Sequence, residues 1–387
     1  MQNNVASDNL KYYQEMDKEN IQKFREVLAT LPEFCKAYFR SIAENTAVRT
    51  RLGYAYDIRI FFEFLHETNS ALKDIDIKDF KIEILDMITR DDLEEYLEYV
   101  SLYDKDGKEF TNSENGKKRK IAAIRSMYNY FFKTDRIKTN APSKINTPKS
   151  HEKAIIRLEP NEVKQMLDVV EDGDKLTKAQ KKFHDKTKVR DTAIVTLLLG
   201  TGIRVSECVG LDIEDIDFNT NGIRIHRKGG NESIVYFGQE VEDALKAYLS
   251  QRNLIVANSG HEEALFLSLQ NRRITVRAVE NLVKKYAANV TTLKKITPHK
   301  LRSTFGTNLY NETGDIYLVA DVLGHKDVNT TRKHYAAQSD ANRRHAAKMV
   351  HLRGGDNNNN EAGNDVINND TSDIVHHDLD DDAFWNF

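Results

Sequence analysis

Apolar residues recur at every third or fourth position through much of the first 140 residues. Two stripes show this spacing most clearly: Tyr54, Ile58, Phe61, Phe62 and Leu65, then Ile121, Ile124, Tyr128, Phe131 and Phe132. Such spacing puts one apolar face along an α-helix, and faces of this kind pack together to leave water. The pattern therefore predicts a small all-α bundle over residues 1–140.

The pattern becomes mixed in the second half of the chain. Apolar and polar residues alternate over 222–226 and 233–237, which predicts two antiparallel strands joined by a turn at 228–231. A short strand is expected near 265–269, and the charged segment 172–188 is interpreted as an inserted loop or a short solvent-exposed helix. Helical spacing predicts helices near 190–199, 239–251, 275–288, 298–309 and 316–323. The expected fold class is mainly α with a small antiparallel β-sheet.

A basic stretch containing prolines separates the two patterns. Pro142, Pro148 and Pro160 lie close together there, and proline removes a helix donor and stiffens the chain. We interpret residues 141–153 as a linker between the helical domain at 1–140 and a mixed α/β domain at 154–352. Residues 353–387 hold too few apolar side chains to form a core, so they are expected to be a disordered tail.

The net charge of the chain hides an uneven distribution. The tail carries nine acids against Arg353 alone, a net charge of −8, so the overall −3 leaves +5 on residues 1–352. A basic body with an acidic tail fits a protein that binds phosphate groups, as nucleic-acid partners require.

Two further features limit the class of protein. No stretch approaches the roughly 18 apolar residues that span a bilayer, and the N-terminus lacks the basic and apolar parts of a signal peptide. We therefore expect a cytoplasmic protein with no membrane partner. Cys35 and Cys208 are too few for a disulfide framework or a zinc site, and both are interpreted as reduced, buried thiols.

Six residues of the second half suit the cleavage of a phosphodiester without a metal: Arg204, Lys228, His299, Arg302, His325 and Tyr335. Such a reaction needs a nucleophile, cations for the non-bridging oxygens and an acid for the leaving oxygen. The Tyr335 hydroxyl supplies the nucleophile. Arg204 and Arg302 supply planar forks that grip phosphate oxygens and keep their charge.

The remaining side chains complete this chemistry. His299 lies three residues before Arg302 on a predicted helix, so both can face one site, where His299 takes the nucleophile's proton or binds an oxygen. His325 is a second oxygen donor. Glu207, three residues after Arg204, is expected to orient that arginine through an ion pair on the same helix. No convincing cluster of metal-binding acids accompanies them, so we expect no cofactor.

The local contexts of these residues resemble those of the tyrosine recombinase and integrase family, including its Xer-type members. The resemblance covers roughly residues 31–352. It is carried by Thr201-Gly-Ile-Arg-Val-Ser-Glu207, Thr297-Pro-His-Lys-Leu-Arg302, Leu323-Gly-His325 and Thr330-Thr-Arg-Lys-His-Tyr335.

The resemblance implies a fold and a reaction. The N-terminal domain would be a SAM-like core-binding domain that closes, with the catalytic domain, as a C-shaped clamp around double-stranded DNA at a specific core site. Tyr335 would form a 3′-phosphotyrosine, and Lys228, on its β-turn, would protonate the leaving 5′ oxygen. Four protomers on two sites would pass through a four-way Holliday junction without ATP or metal, with the predicted helix 339–352 docked on a neighbouring protomer or packed in cis.

Further cations of the N-terminal domain are candidates for DNA contact. A basic cluster stands at the start of the second predicted helix, where positive charge opposes the helix dipole and gains from a nearby anion. Its alternative interpretation is a solvated helix end. The candidates are Lys117, Lys118, Arg119 and Arg125, with Arg49, Arg51 and Arg59 on the other helix.

Several alternatives stay open. Tyr310 and Tyr317 are rival nucleophiles, although Tyr317 is expected to pack in the core. The same residues would serve a Xer-type resolvase, a mobile-element integrase, an inversion switch or a type IB topoisomerase-like enzyme that relaxes DNA. From another class, the chain would be a catalytically inactive DNA-binding architectural or regulatory protein. The aromatic end of the tail, Phe384-Trp-Asn-Phe387, is either a chance cluster or a docking peptide.

Overall fold

The computed structural model describes residues 12–105, 107–146, 156–227, 232–325 and 327–335, although not the side chains of Thr330 and residues 333–335. All the described residues belong to one compact unit, Met1–Gln338. Lys228, most of the predicted linker, the predicted helix 339–352 and the acidic tail lie outside the described residues.

The N-terminal half forms a helical bundle around an aromatic core. Its helices are α1 (Tyr12–Leu28), α2 (Cys35–Ser41), α3 (Val48–Thr68), α4 (Ile84–Met87), α5 (Arg90–Tyr99) and α6 (Glu114–Lys133). Phe61 and Phe62 of α3 and Phe131 of α6 are fully buried, and each contributes roughly 1.5–3 kcal/mol by leaving water. The apolar stripes of the sequence thus form the core, and the helical character expected of this half is confirmed.

A β-hairpin that the sequence pattern does not predict is added to this bundle. β1 (Leu102–Lys105) pairs with β2 (Lys108–Thr111) in antiparallel register, with Leu102 opposite Thr111. Every described residue of the hairpin is exposed or only partly buried. Because neither face packs on a core, the strands show none of the alternation by which a strand is recognised in a sequence.

The C-terminal half packs helices around a second apolar core and a three-stranded antiparallel sheet in the order β3–β4–β5. The strands are β3 (Ile216–Asp217), β4 (Gly222–His226) and β5 (Glu232–Tyr236). The helices are α7 (Pro160–Asp172), α8 (Lys178–Thr201), α9 (Val205–Gly210), α10 (Gln239–Arg252), α11 (Val276–Ala287), α12 (Pro298–Thr313), α13 (Ile316–Leu323) and α14 (Val328–Tyr335). The predicted β4–β5 pairing and the mainly α fold class are confirmed, and Cys35 and Cys208 are free and buried as expected.

Two expectations about this half are wrong in detail. The charged segment after residue 177 is the first part of the long helix α8, which Thr177 and Gln180 begin with a capping box. This first part of α8 is not solvent-exposed along its whole length, because His184 is buried and its Nδ1 lies within hydrogen-bond distance of the Tyr286 hydroxyl, at 3.0 Å. Over 265–269 the described chain forms only an isolated bridge, from Leu267 to Arg273, in place of a strand.

Helix α1 contacts both apolar cores. Phe24 and Val27, near its end, belong to the N-terminal core. At its start, the Tyr12 ring packs on the C-terminal core with the Arg273 guanidinium 5.2 Å from its centroid. Burial raises the pKa of the Tyr12 hydroxyl above its ordinary value. One helix therefore joins the two halves of the molecule.

Candidate active site

The C-terminal end of α13 is closed by a Schellman motif. Gly324 adopts the left-handed conformation, with φ of 62°. Its N–H donates to the Asp321 carbonyl at 2.8 Å, and the N–H of His325 donates to the Ala320 carbonyl at 2.9 Å. The motif satisfies these two carbonyls and leaves those of residues 322–324 in need of other donors.

Three arginines from distant parts of the chain approach those three carbonyls, and two of them donate hydrogen bonds. Arg227 Nη2 donates to the Val322 oxygen at 3.0 Å, and Arg302 Nη2 donates to the Leu323 oxygen. Arg204 Nη2 lies 3.5 Å from the Gly324 oxygen, which is long for a hydrogen bond. Guanidinium groups that are far apart in sequence are thereby gathered at one helix end.

Arg204 is held by the start of its own helix. It is the N-cap of α9, where its N–H donates to Glu207 Oε2 and its Nη1 donates to Glu207 Oε1, both at 2.7 Å. The Glu207 side chain is 4% exposed, whereas that of Arg204 is 38% exposed. A buried carboxylate thus fixes the base of a guanidinium whose remaining surface faces water, which is the orienting contact predicted for Glu207.

Arg302 is buried and donates hydrogen bonds to the ends of two helices, α8 and α13. Besides the Leu323 oxygen, it reaches the Gly202 oxygen at 2.5 Å through Nη1. Gly202 ends α8 in the left-handed conformation, with φ of 63°, and the Phe305 ring fills the place where a Cβ would stand. Only glycine fits there, so the turn that orients Arg302 depends on both the backbone and the packing.

The two candidate histidines differ in their surroundings. His299 is exposed in the first turn of α12, three residues before Arg302. His325 follows Gly324, and its Nδ1 lies 2.8 Å from Oγ1 of the fully buried Thr331 on α14. The Thr331 contact sets the plane of the His325 ring. The tautomer of the ring follows from whether the hydroxyl donates or accepts there.

The side chains of the last two candidates, Lys228 and Tyr335, lie outside what the structure describes, so only their neighbours in the chain can be placed. Lys228 lies outside the described residues and follows Arg227 directly. Helix α14 is described as far as Tyr335 and packs against α12 and α13, the helices that carry Arg302 and precede His325. Both residues remain predictions as members of the site.

The tyrosines that rival Tyr335 can be compared by exposure. Tyr310 is half-buried on α12 and packs with the small cluster around Val319 and Leu323. Tyr317 is 71% exposed, so the expectation that it packs in the core is wrong. The buried face of α13 consists of Val319, Ala320 and Leu323, and Tyr317 lies on the other side of this short helix.

The cations predicted to contact DNA in the N-terminal half have varied partners. Arg119 and Lys120 both bond to the fully buried Asp57, at 2.8 and 3.2 Å. Arg125 Nε donates to the Pro142 oxygen at 2.9 Å and its Nη2 to the Ile145 oxygen. The other candidates are Arg51, which packs on Phe24, Arg59, which packs on Tyr56 and pairs with Glu63, the exposed Arg49, and the half-buried Lys117 and Lys118.

Arg227 also reaches the end of α13. The resemblance assigns the acid to its neighbour Lys228 rather than to Arg227, because a lysine on this β-turn has that role in the family. The signal available in the sequence was a second cation at the end of a strand, which is common on solvated surfaces. Only the long-range contact with α13 distinguishes it.

Other kinds of site find no support within the described residues. In those ranges, no group of three His, Cys, Asp or Glu side chains stands in a metal-binding arrangement. Likewise, no helix in the part of the chain that the structure describes is long and apolar enough to cross a membrane.

The chain is similar in sequence to known recombinases. Residues 157–342 match the phage integrase family. The chain is 32% identical over 311 residues to tyrosine recombinase XerC of Caldanaerobacter subterraneus subsp. tengcongensis, covering 78% of this chain and 81% of the relative. It is 30% identical over 296 residues to tyrosine recombinase XerD of Oceanobacillus iheyensis, covering 72% of this chain and 92% of the relative.

Solved structures share the fold at lower identity. The Tn1549 transposon integrase in complex with transposon right end DNA superposes with a TM-score of 0.59 at 22% identity, covering 81% of this chain and 98% of that one. The XerH site-specific recombinase bound to palindromic difH substrate superposes with a TM-score of 0.58 at 21% identity, covering 80% and 82%.

Proposed function

The chain belongs to the tyrosine recombinase family of site-specific DNA recombinases, and from this premise we propose how its residues cut and rejoin DNA. The observation that supports the proposal best is the approach of Arg204 and Arg302 to the same helix end, through the Gly324 and Leu323 carbonyls. Two guanidinium forks brought together in this way suit a phosphate carrying two non-bridging oxygens.

In the first step, Tyr335 Oη attacks the phosphorus of one strand. The Oη–phosphorus bond forms as the phosphorus–O5′ bond breaks, which leaves a 3′-phosphotyrosine and a 5′ hydroxyl. Lys228 donates the proton that O5′ requires. Arg204 and Arg302 stabilise the charge that develops on the non-bridging oxygens, a contribution of about 10²- to 10³-fold per donor by analogy with oxyanion holes.

The histidines act on the nucleophile and on the phosphate. His299 takes the proton of the Tyr335 hydroxyl or binds a phosphate oxygen, which its exposed position in the first turn of α12 permits. His325 donates to a non-bridging oxygen from a ring whose plane Thr331 sets. The ester keeps the energy of the broken bond, so a 5′ hydroxyl from a partner duplex reverses the step and completes strand transfer.

DNA is the partner, and the assembly follows from the chemistry of exchange. The related structures include an integrase in complex with transposon end DNA and a recombinase bound to its difH substrate, which supports a double-stranded core site for this chain. We propose that residues 1–140 and 154–352 act as two domains that enclose the duplex. Four protomers on two sites then exchange strands through a Holliday junction, in the cytoplasm.

A suicide substrate tests the nucleophile. A core site with a nick close to the scissile phosphate loses the short 5′-hydroxyl fragment after attack, so the covalent protein–DNA adduct accumulates. Tyr335→Phe removes the attacking oxygen and is expected to abolish the adduct while DNA binding persists. Tyr317→Phe, at an exposed tyrosine of α13, is the matched control and is expected to keep the adduct. An adduct formed by Tyr335→Phe would refute the assignment.

The same substrate separates the competing functions. A catalytically inactive DNA-binding protein gives only a non-covalent mobility shift. An enzyme of the type IB topoisomerase kind gives the adduct and relaxes a supercoiled plasmid, yet yields no recombinant product from two core sites. Recombinant product together with the adduct is the result expected for this chain.

A further inference from the structure

Arg227 makes a contact that the chemistry described above does not use. It directly follows β4, and its Nη2 donates to the Val322 carbonyl at 3.0 Å, across 95 residues of sequence. Its guanidinium covers Gly324 so closely that a Cβ at that position would overlap it. The Nε atom is buried and makes no hydrogen bond to any described residue. The end of β4 is thus fixed to the end of α13.

This contact acts one residue away from Lys228. Consecutive Cα atoms are about 3.8 Å apart, so an anchor at Arg227 limits the space that Lys228 can reach. The sequence that follows, Lys228-Gly-Gly-Asn231, contains two glycines, and glycine has the largest conformational freedom to lose. An anchor at the residue before this sequence therefore lowers the entropy that is lost when Lys228 is held at one position.

We propose that Arg227 is a positioning residue, which holds Lys228 where it protonates the leaving 5′ oxygen. This inference rests on the role given to Lys228 in the proposed function. An acid that is held in place gains effective concentration over one that searches for its target, and a shift of about 1 Å costs up to about 10²-fold in rate.

Direct phosphate binding by Arg227 is the competing role. The packing at Gly324 disfavours it, because the guanidinium lies directly against the backbone there and its Nε is buried. Arg204, by contrast, leaves 38% of its side chain exposed and so retains a surface for a ligand. Arg227 therefore acts through its neighbour.

The leaving group distinguishes the two roles. When sulfur replaces O5′ at the scissile position, the phosphorus–sulfur bond breaks with release of a thiolate, which needs no proton because thiols have a pKa of about 8.5. A variant that has lost or misplaced the acid therefore regains its cleavage rate on this substrate. A variant that no longer stabilises the non-bridging oxygens stays slow, because charge still develops on them.

The experiment measures adduct formation on nicked core sites with oxygen or sulfur as the leaving atom. Arg227→Ala is expected to slow cleavage about 10- to 100-fold on oxygen and to regain most of its rate on sulfur, as is Lys228→Ala. Arg302→Ala is the matched control that stays slow on both. Arg227→Gln, whose amide can still donate to Val322, is expected to be slowed less and restored likewise, and it replaces Arg227→Ala if that variant fails to fold by circular dichroism.

Each result decides the inference. If Arg227→Ala stays slow on sulfur while Lys228→Ala is restored, Arg227 does not position the acid, and the role of Lys228 stands. A normal rate for Arg227→Ala on oxygen also overturns the inference. If Lys228→Ala itself is not restored on sulfur, the acid role in the proposed function fails, and the inference fails with it.

Discussion

Two sets of cations, one at Asp57 in the N-terminal half and one at the end of α13 in the C-terminal half, are held by different kinds of acceptor. In the N-terminal half, Arg119 and Lys120 share the carboxylate of Asp57. At the end of α13, Arg302 donates to the Leu323 carbonyl, and it also donates to the Gly202 carbonyl at the end of α8. A carboxylate cancels the charge of the cation that it binds, whereas a carbonyl orients the cation and carries no net charge. Carbonyl partners therefore keep a fixed guanidinium attractive to a phosphate.

The carboxylate arrangement carries an energetic cost of its own. Burial raises the pKa of Asp57, even though Lys120 and Arg119 both act to lower it. The cations therefore compensate only part of the desolvation of the carboxylate. The cluster at Asp57 therefore serves the fold, while Arg302, which donates to uncharged carbonyls, suits the chemistry.

The largest effect is expected from breaking the buried pair at Asp57. Lys120→Met leaves a fully buried carboxylate with one partner fewer, so we expect the free energy of unfolding to fall by about 3–5 kcal/mol. Urea denaturation measures the loss, and adduct formation per folded molecule should stay unchanged. The double variant Asp57→Leu with Lys120→Met is expected to recover part of the stability. A loss below about 1 kcal/mol for Lys120→Met would show that the pair is not a buried structural element.

The next largest effect concerns the carbonyl-held arginine that is most buried. Arg302→Lys keeps the charge but loses the fork that spans the Gly202 and Leu323 oxygens, so we expect adduct formation to slow by about 10²- to 10³-fold. Nicked core sites measure the rate, and DNA affinity should change little. Arg119→Lys in the N-terminal half is the matched control and should cleave normally. Equal rates for wild type and Arg302→Lys would mean that charge alone suffices.

A smaller, pH-dependent effect on stability is expected from the buried His184. Burial lowers the pKa of His184, with Lys285 acting in the same direction and Asp191 opposing it. Below pH about 6.5 the unfolded chain binds a proton that folded His184 rejects, so this contribution to stability is present above that pH and lost as the pH falls. Urea denaturation at pH 7.5 and 5.5 should show a loss that His184→Gln reduces and His261→Gln does not. An identical loss in His184→Gln would refute this origin.

The smallest effect is expected within the predicted DNA-contact set. Arg125 donates to two main-chain carbonyls, while Arg119 shares Asp57. We therefore expect Arg125→Met to reduce the slope of log binding constant against log salt by about 0.9, the value for one lost phosphate contact. Arg119→Met should reduce the slope less. Fluorescence anisotropy over a range of about 50 to 200 mM salt measures the slope of both variants. A larger loss of slope for Arg119→Met than for Arg125→Met would contradict the role of the acceptor type.

Local patterns account for the parts of the fold that the sequence predicted. The aromatic stripes of α3 and α6 and the alternation in β4 and β5 are short-range signals, and they correspond to buried faces in the structure. The hairpin β1–β2 escaped because its residues remain exposed. The start of α8 was not predicted because a charged composition concealed two buried residues, His184 and Thr187.

The candidate site was also predicted only in its local features, and its long-range contacts were not predicted. The motifs around Arg204 and Arg302 pointed to cations of the right chemistry, and the Glu207 contact follows from three-residue spacing on a helix. Their approach to one helix end could not be predicted, because the acceptors there are main-chain oxygens, which are present at every residue. Contacts such as Arg302 with Gly202 span 100 residues, and no local spacing encodes them. The role inferred for Arg227 has the same origin.

The Schellman motif at Gly324 also has a consequence for how the protein is made. The oxygens that orient three arginines belong to residues 322–324, which the ribosome adds long after Arg204 and Arg227. A growing chain therefore contains Arg204 and Arg227 well before the carbonyls that they approach, and these contacts can form only after residue 324 has been added.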